Sequence, residues 1–458
     1  MNIEVIDSII CRADKKLIPH IVPCLKYQRT FWKQEQYGKK QKLQPAYFIH
    51  RRTGVFLTGL LSRVQSHLDA KEISYNIKQS SSVSLLVRKP HLDGITFRPD
   101  QLKFIQTLRD NSRGVIIAPT RFGKTIVALG FLSMFPEAKV LFLCESLDIL
   151  TQTVDELNRF NFDNIAKLGE GNKNWKGFKI VVSTIQTFSK LKAEEYCDYF
   201  DITIVDEVHH AVGAWNSNSQ SVSGRYGTVL CGNLSPIKIG FTATPHTKQD
   251  KILSLEGLIG PIIGEMTQQE SIELEITMKP KIELIPIPYK HNVSKHRSYK
   301  DLYEHGIVEN RIRNKMIAKL TKERVVQGIT VLIMVKEIKH ALNIQTLAKK
   351  IYNLDITFIR GATDSETRKA VKEAFIKKKV KSVISTAWRE GINLPSLGCV
   401  INALGGKSEI QTLQSVGRSL TKIEGKDYAE IIDFLDPYTY LSSHTIERLQ
   451  MYVKNGWL

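Results

Sequence analysis

The sequence predicts an α/β chain: two tandem parallel-sheet domains preceded by a small basic α+β module. Three observations predict it. From Phe97 onward, short continuous apolar runs alternate with amphipathic stretches of helical period, the pattern of a parallel sheet buried on both faces. That pattern breaks near residue 266 and restarts after residue 308. The length, 458 residues, is enough to bury more than one core. The expected bounds are 1–92 for the module, 93–265 for the first domain, 266–308 for an inter-domain crossing and 309–458 for the second domain.

In the module, alternation over Ala46–Ile49 and Val55–Thr58 suggests strands, and Leu60, Leu61, Val64 and Leu68 have helical spacing. The stretch Gln79–Ser84, with the breakers Lys89-Pro90 and Asp93-Gly94, reads as a linker. In the first domain, strand Gly114–Ala118 is followed by a helix over Ile126–Phe135, and strand Lys139–Cys144 by a helix over Ile149–Phe160. Further apolar strands are expected at Ile180–Val182, Ile202–Val205 and Lys238–Phe241. The crossing mixes an alternating Lys281–Ile287 with a polar stretch around His291–Lys300. In the second domain, helices over Asn310–Gln327, Glu366–Lys377 and Ile410–Leu420 are interleaved with strands at Thr330–Val335, Thr357–Ile359, Ser382–Ser385, Cys399–Asn402 and Glu430–Phe434. The cleft between two such domains is a natural ligand site.

Composition narrows the partner. A chain that is 42% hydrophobic and 24% charged is globular rather than disordered or fibrous. Its net charge of +19 points to a polyanion, either nucleic acid or an anionic membrane surface. No run of about 18 apolar residues exists, and the first residues have no signal-peptide pattern. A cytoplasmic protein is therefore expected, in the host cytoplasm if viral, with no membrane partner. Six scattered cysteines without a C-x-x-C pair argue against zinc and against a disulfide framework. Residues 1–92 hold 16 Lys+Arg against 6 Asp+Glu, about half of the surplus. Tyr27, Phe31, Trp32, Tyr37, Tyr47 and Phe48 lie among those cations. Such aromatics can stack on bases, although most are expected to form the module's core.

Ala118-Pro119-Thr120-Arg121-Phe122-Gly123-Lys124-Thr125 fits [AG]-x-x-x-x-G-K-[ST] between an apolar strand and a helix. Gly123 lets backbone approach a phosphate, the helix N-terminus presents free N–H groups, Lys124 reaches the β and γ phosphates, and Thr125 offers a hydroxyl to Mg²⁺. Asp206-Glu207-Val208-His209 follows the apolar strand Ile202–Val205. Asp206 can hold the Mg²⁺ shell there, mostly through water, and Glu207 can orient and deprotonate the attacking water. His209 and His210 lack a third ligand at usable spacing and read as polar couplers.

With Thr242-Ala-Thr244-Pro and Gln414-Ser-Val-Gly-Arg418 the series resembles superfamily 2 helicases over about residues 97–435. That resemblance implies two RecA-like domains and ATP hydrolysis with Mg²⁺. It implies adenine recognition by Arg98-Pro-Asp-Gln101, an arginine finger at Arg418 and a nucleotide contact at Gln414. It also implies coupling through Thr242 and Thr244. Ser183-Thr184-Ile-Gln186-Thr187, Gly361 through Arg368, and Ser385-Thr386 through Pro395 resemble the motifs that hold nucleic acid. Two departures stand out: Thr421, followed by Lys422, replaces a frequent second arginine, and Asn393 replaces a usual aspartate. Within the superfamily, the basic module, the compact core and Glu309-Asn310-Arg311-Ile-Arg313-Asn314 resemble UvsW-type helicases of tailed bacteriophages. The resemblance implies action on forks, Holliday junctions, D-loops and R-loops in replication, repair and recombination. Trp388 and Trp32 are candidate stacking residues, though each is more often core. The alternatives are an RNA helicase, a duplex translocase that does not separate strands, and a nucleic-acid-binding scaffold without ATPase activity.

Overall fold

A computed structural model describes the chain except residues 36–37, 80–84, 120–121, 170, 173, 217, 244, 247, 277, 296–297, 389–393, 395 and 407–428; the side chains of 31–42, 365 and 429 are likewise outside it. The aromatic and basic side chains from Phe31 to Lys42, the expected helix at Ile410–Leu420, Asn393, Thr421 and Lys422 thus lie outside the described residues. The chain divides into two compact units, residues 1–118 with 123–265 and residues 119–122 with 266–458.

In the first unit, β1 (Asn2–Val5), β2 (Ile10–Ala13), β5 (Val55–Leu57) and β6 (Asn76–Gln79) form a sheet of order β5-β2-β1-β6. The ten-residue strands β3 (Lys26–Glu35) and β4 (Gly38–Tyr47) pair as a separate antiparallel hairpin. Seven parallel strands follow: β7 (Arg113–Ile117), β8 (Val140–Cys144), β9 (Ile165–Leu168), β10 (Ile180–Thr184), β11 (Ile202–Val205), β14 (Ile237–Thr242) and β15 (Ile262–Glu265). Their order is β15-β7-β14-β11-β8-β10-β9. β12 (Trp215–Asn216) and β13 (Ser221–Val222) make a short antiparallel pair. The central strands read as continuous apolar runs because both faces are covered: every residue of β8, β10 and β11 is buried.

The N-terminal sheet and the parallel sheet share one buried core, in which Ile3, Phe48, Leu60 and Leu68 belong with Val115, Leu141 and Val181. Tyr27 and Phe48, 5.3 Å apart, sit inside it. The two parts meet backbone to backbone. A Cβ on Gly59 would lie 2.0 Å from the carbonyl of Glu256. Beside it Arg63 grips Glu256 through two hydrogen bonds of 2.5 and 2.7 Å. Arg113 of β7 donates to the carbonyls of Ser8, Ile259 (2.9 Å) and Leu258 (3.3 Å).

The second unit is a six-stranded parallel sheet of order β16-β21-β20-β17-β19-β18. Its strands are β16 (Pro280–Pro286), β17 (Val331–Met334), β18 (Thr357–Ile359), β19 (Ser382–Ser385), β20 (Cys399–Asn402) and β21 (Ala429–Leu435). β16 falls within the expected crossing at 266–308, yet it pairs with β21 along its whole length. It reads as alternating rather than apolar because it is the sheet's edge, with only Pro280 fully buried. The short helix Tyr299–Tyr303 precedes the unit's longer described helices, Arg311–Val326, Ile338–Tyr352, Ser365–Ile376 and Thr439–Lys454. Asn310 caps the first by accepting from the N–H groups of Ile312 and Arg313. Trp388 is core, 1% exposed.

Candidate nucleotide site and nucleic-acid face

Parallel sheets offer ligand sites at the carboxyl ends of their strands, and the first unit places its chemical side chains there. β7 ends at Ile117, and Ala118 continues the ladder by donating to the carbonyl of Thr242 at 2.9 Å. Gly123 has φ +98° and caps the helix Lys124–Leu132 with no side chain over the helix's free N–H groups. Only glycine takes this conformation cheaply, and a Cβ there would sit 2.7 Å from Nε2 of Gln101. The open cradle is thus shaped by both the turn and Gln101, whose Oε1 accepts from the N–H of Arg98 at 3.1 Å. The Arg98 guanidinium itself pairs with Asp100 at 3.0 Å. Lys124 Nζ donates to the carbonyl of Ala118 at 3.2 Å, a weak hold that a phosphate oxygen can replace.

β11 delivers the two acids. The N–H of Asp206 donates to Leu143 at 3.0 Å, and Asp206 Oδ1 accepts from the N–H of Glu207 at 2.9 Å. Glu207 stands at φ +46°, ψ +48°. That left-handed conformation costs a branched-free acid of order 1 kcal/mol or more and is typical of functional sites. Burial pushes the Asp206 carboxyl up, the adjacent Glu207 charge adds to the push, and Lys124 opposes it. Burial also works against the Glu207 charge, but Lys124 and His209 outweigh it and hold that carboxyl below the usual range. One acid thus stays ionised beside a cation while its neighbour is left short of positive charge, a donor set that fits a small hard cation. Asp206 and Thr125 would hold Mg²⁺, which takes few protein ligands and keeps its waters.

His209 links this site to the next strand. Its Nδ1 lies 3.0 Å from Thr242 Oγ1 and 3.4 Å from Glu207 Oε2, while its Nε2 is buried without a hydrogen-bond partner among the described residues. Its carbonyl accepts from His246 at 2.6 Å. The structure therefore brings together Gln101, Gly123, Lys124, Asp206, Glu207, His209 and Thr242. Thr120, Arg121, Thr244, Gln414 and Arg418 lie outside the described residues.

The expected nucleic-acid contacts sit at other carboxyl ends. Thr184, closing β10, caps the turn Ile185–Phe188: its Oγ1 accepts from the N–H of Thr187 and donates to Thr187 Oγ1 at 3.0 Å. Gln186 donates to Glu145 at both the carbonyl (3.0 Å) and Oε1 (3.2 Å), and Tyr226 donates to Glu145 Oε2 at 2.9 Å. In the second unit Arg368 donates to the carbonyls of Gly361 (3.2 Å) and Thr363 (2.9 Å), and Thr386 donates its N–H to Ile359. Sequence reasoning missed Glu145 and Tyr226. The position of Glu145 directly after an apolar strand was the available signal for the first; nothing local marks the second.

Comparison with known proteins gives the class. Residues 94–247 match the family described as type III restriction enzyme, res subunit, and residues 313–420 match the helicase conserved C-terminal domain. With both parallel sheets carrying these matches, the chain belongs to the superfamily 2 helicases and is an ATP-dependent DNA helicase. Its relatives include the ATP-dependent DNA helicase uvsW of Enterobacteria phage T4, 27% identical over 375 residues, covering 75% of this chain and 72% of that protein. The DNA 3'-5' translocase XPB2 of Sulfurisphaera tokodaii is 24% identical, covering 72% and 80%. The fold is shared with an ATP-dependent type ISP restriction-modification enzyme, LlaBIII, at a TM-score of 0.58 and 16% identity, over 86% of this chain and 32% of that one. Among the described residues no helix is long and apolar enough to cross a membrane.

Proposed function

We propose that the chain couples ATP hydrolysis to movement on branched DNA, remodelling forks, Holliday junctions, D-loops and R-loops. The observation that carries the branched reading is the seating of the basic N-terminal segment on the first motor domain. Residues 1–92, with their 16 cations against 6 anions, are fixed to the parallel sheet by a common core and by Arg63–Glu256. A second basic body held on the motor can keep one arm of a junction while the motor draws on a strand. Phosphate contacts of this kind carry no sequence information and weaken steeply with salt. The T4 relative, an ATP-dependent DNA helicase, supports DNA over RNA.

In this reading Gly123 and the N–H groups behind it receive the phosphates, with Ala118, Pro119, Thr120, Arg121 and Phe122 forming the rest of the loop. Lys124 exchanges the Ala118 carbonyl for the β and γ phosphate oxygens. Glu207, kept ionised by Lys124 and His209, takes the proton of the attacking water. Asp206 and Thr125 would hold Mg²⁺, which would supply positive charge against the phosphates. Arg98 and Gln101 are assigned to the adenine, and Gln414 and Arg418 to the nucleotide's developing charge. His209, Thr242 and Thr244 carry coupling; Thr184, Gln186, Thr187, Arg368 and Thr386 hold the nucleic acid.

Strand separation of a four-way junction, a plain duplex, a single strand and an RNA duplex tests the assignment. The junction is expected to be remodelled fastest. Equal rates on the plain duplex would overturn the branched assignment, and faster RNA unwinding would favour an RNA helicase. ATP turnover without strand separation would favour a duplex translocase.

A further inference from the structure

The carboxyl edge of the second sheet carries exposed aromatic rings that the proposed ATP chemistry does not use. Tyr289 follows β16 and Tyr440 follows β21. Tyr303 donates its hydroxyl to the carbonyl of Leu404, beyond β20. Lys336, just past β17, lies 5.1 Å over the Tyr303 ring. Tyr299 joins them, its ring 5.9 Å from Tyr303, 6.4 Å from Tyr440 at nearly a right angle, and 5.3 Å from His444. Tyr289 leans on Tyr438 at 5.7 Å, and the Tyr438 hydroxyl accepts from the N–H of Lys290.

The rings stand on a fixed base. Val293, Leu302, Tyr303, Ile307, Tyr438 and Leu441 form one buried cluster beneath them. Above it Tyr289, Tyr440 and Tyr299 remain 58%, 46% and 37% exposed. One exposed tyrosine needs no explanation, but three on one cluster form a patch that folding alone does not require. Lys336 over the Tyr303 ring supplies a cation, and Lys290 and Lys300 adjoin Tyr289 and Tyr299 in the chain. Of the acids there, Asp301 is engaged with Ser298 and Glu304 with Lys339, while the Glu337 charge acts on Tyr299. Arg368 and Thr386 follow other strands of the same sheet at the same edge.

We propose that this patch is a stacking platform for single-stranded nucleic acid. Bases lie on Tyr299, Tyr440 and Tyr289, and the backbone phosphates run toward the lysines. Aromatic faces with interleaved cations bind unpaired strands in this way without regard to sequence. A paired strand has no free base face to offer, so the platform takes single strands. The proposal rests on the nucleic-acid motor reading and adds a site to it.

The test is equilibrium binding of a dye-labelled oligothymidine and of a blunt duplex by the full-length chain at fixed salt. The chains compared are wild type, Tyr299→Ala/Tyr440→Ala and Tyr299→Phe/Tyr440→Phe. Stacking losses on alanine substitution amount to roughly fivefold to a hundredfold per base. The alanine pair is therefore expected to lose on the order of tenfold or more for the oligothymidine and little for the duplex, while the phenylalanine pair binds like wild type. Unchanged single-strand binding by the alanine pair overturns the platform, as does an equal loss on the duplex, or failure of the phenylalanine pair. If the alanine pair melts early, Tyr289→Ala carries the same test, since its ring is mostly in solvent. A wild-type chain that binds no nucleic acid sinks the motor reading as well; binding by wild type with unaffected variants sinks only the platform.

Discussion

Arg313→Met isolates a fully buried ion pair of the second unit. Arg313 and Asp436 have side chains with no exposure at all, joined at 3.1 Å. The guanidinium also donates to the Ala403 carbonyl at 3.2 Å and lies 4.5 Å from the Phe434 ring centroid. Burial pushes the Asp436 carboxyl up, and Arg313 is the foremost charge pulling it back. Removing the arginine leaves that acid buried without its partner, which costs roughly 3–5 kcal/mol. One nitrogen of Arg313 and one oxygen of Asp436 lack partners among the described residues, so the lower half of that range is expected. For a unit of this size each kcal/mol moves the melting temperature by about 2–4 °C, which gives on the order of 6–16 °C. Calorimetry of wild type, Arg313→Met, Asp436→Leu and the double variant measures it. The double variant should lose much less than the sum of the singles. A single-variant shift below about 2 °C, or strict additivity, would refute the reasoning.

Three further outcomes are expected. Glu207→Gln should bind ATP normally and lose about 10²- to 10⁴-fold in turnover, read by single-turnover hydrolysis beside nucleotide titration; retained turnover removes Glu207 as the base. Gly123→Ala should lose nucleotide affinity, since a φ of +98° strains any residue bearing a Cβ and the Gln101 amide, 2.7 Å from it, must move to admit one. Affinity within about twofold of wild type would show that the loop can reopen. His340 is fully buried, its Nε2 donating to Asn314 at 2.9 Å, and burial holds its imidazole far below the ordinary 6.5. The unfolded chain therefore takes up a proton near pH 6.5 that the folded chain refuses. The stabilisation is complete above that pH and fades as pH falls below it, by up to about 1.4 kcal/mol per unit. Urea unfolding at pH 7 and 5.5 should show a steeper loss for wild type than for His340→Gln, and equal losses would contradict it.

The parts legible in the sequence were those whose signal is local. Strand Ile202–Val205 is four consecutive buried residues, all apolar but Thr203, and Asp206-Glu207 follows it directly. Gly123-Lys124 stands where a strand gives way to a helix. β16 was hidden because an edge strand alternates, and β15 because its four residues are at best half-buried. Distant pairings were out of reach. Arg313 reads as part of a family-like segment, and its partner Asp436 is 123 residues away. Glu145 meets Gln186 and Tyr226 across 41 and 81 residues. The N-terminal boundary near 92 reads as a composition shift, yet Leu60 and Leu68 share a core with Val115 and Val181, because burial does not follow charge. Tyr299 and Tyr440 came together only through the packing of Tyr299–Tyr303 against Thr439–Lys454.

The most direct test of the central claim is steady-state ATP turnover by the full-length chain, with and without DNA, beside Lys124→Ala. Turnover that rises with DNA in the wild type and falls about 10²-fold or more in the variant is what a motor built on Gly123, Lys124, Asp206 and Glu207 predicts. No turnover on any DNA, or turnover that survives Lys124→Ala, would contradict it.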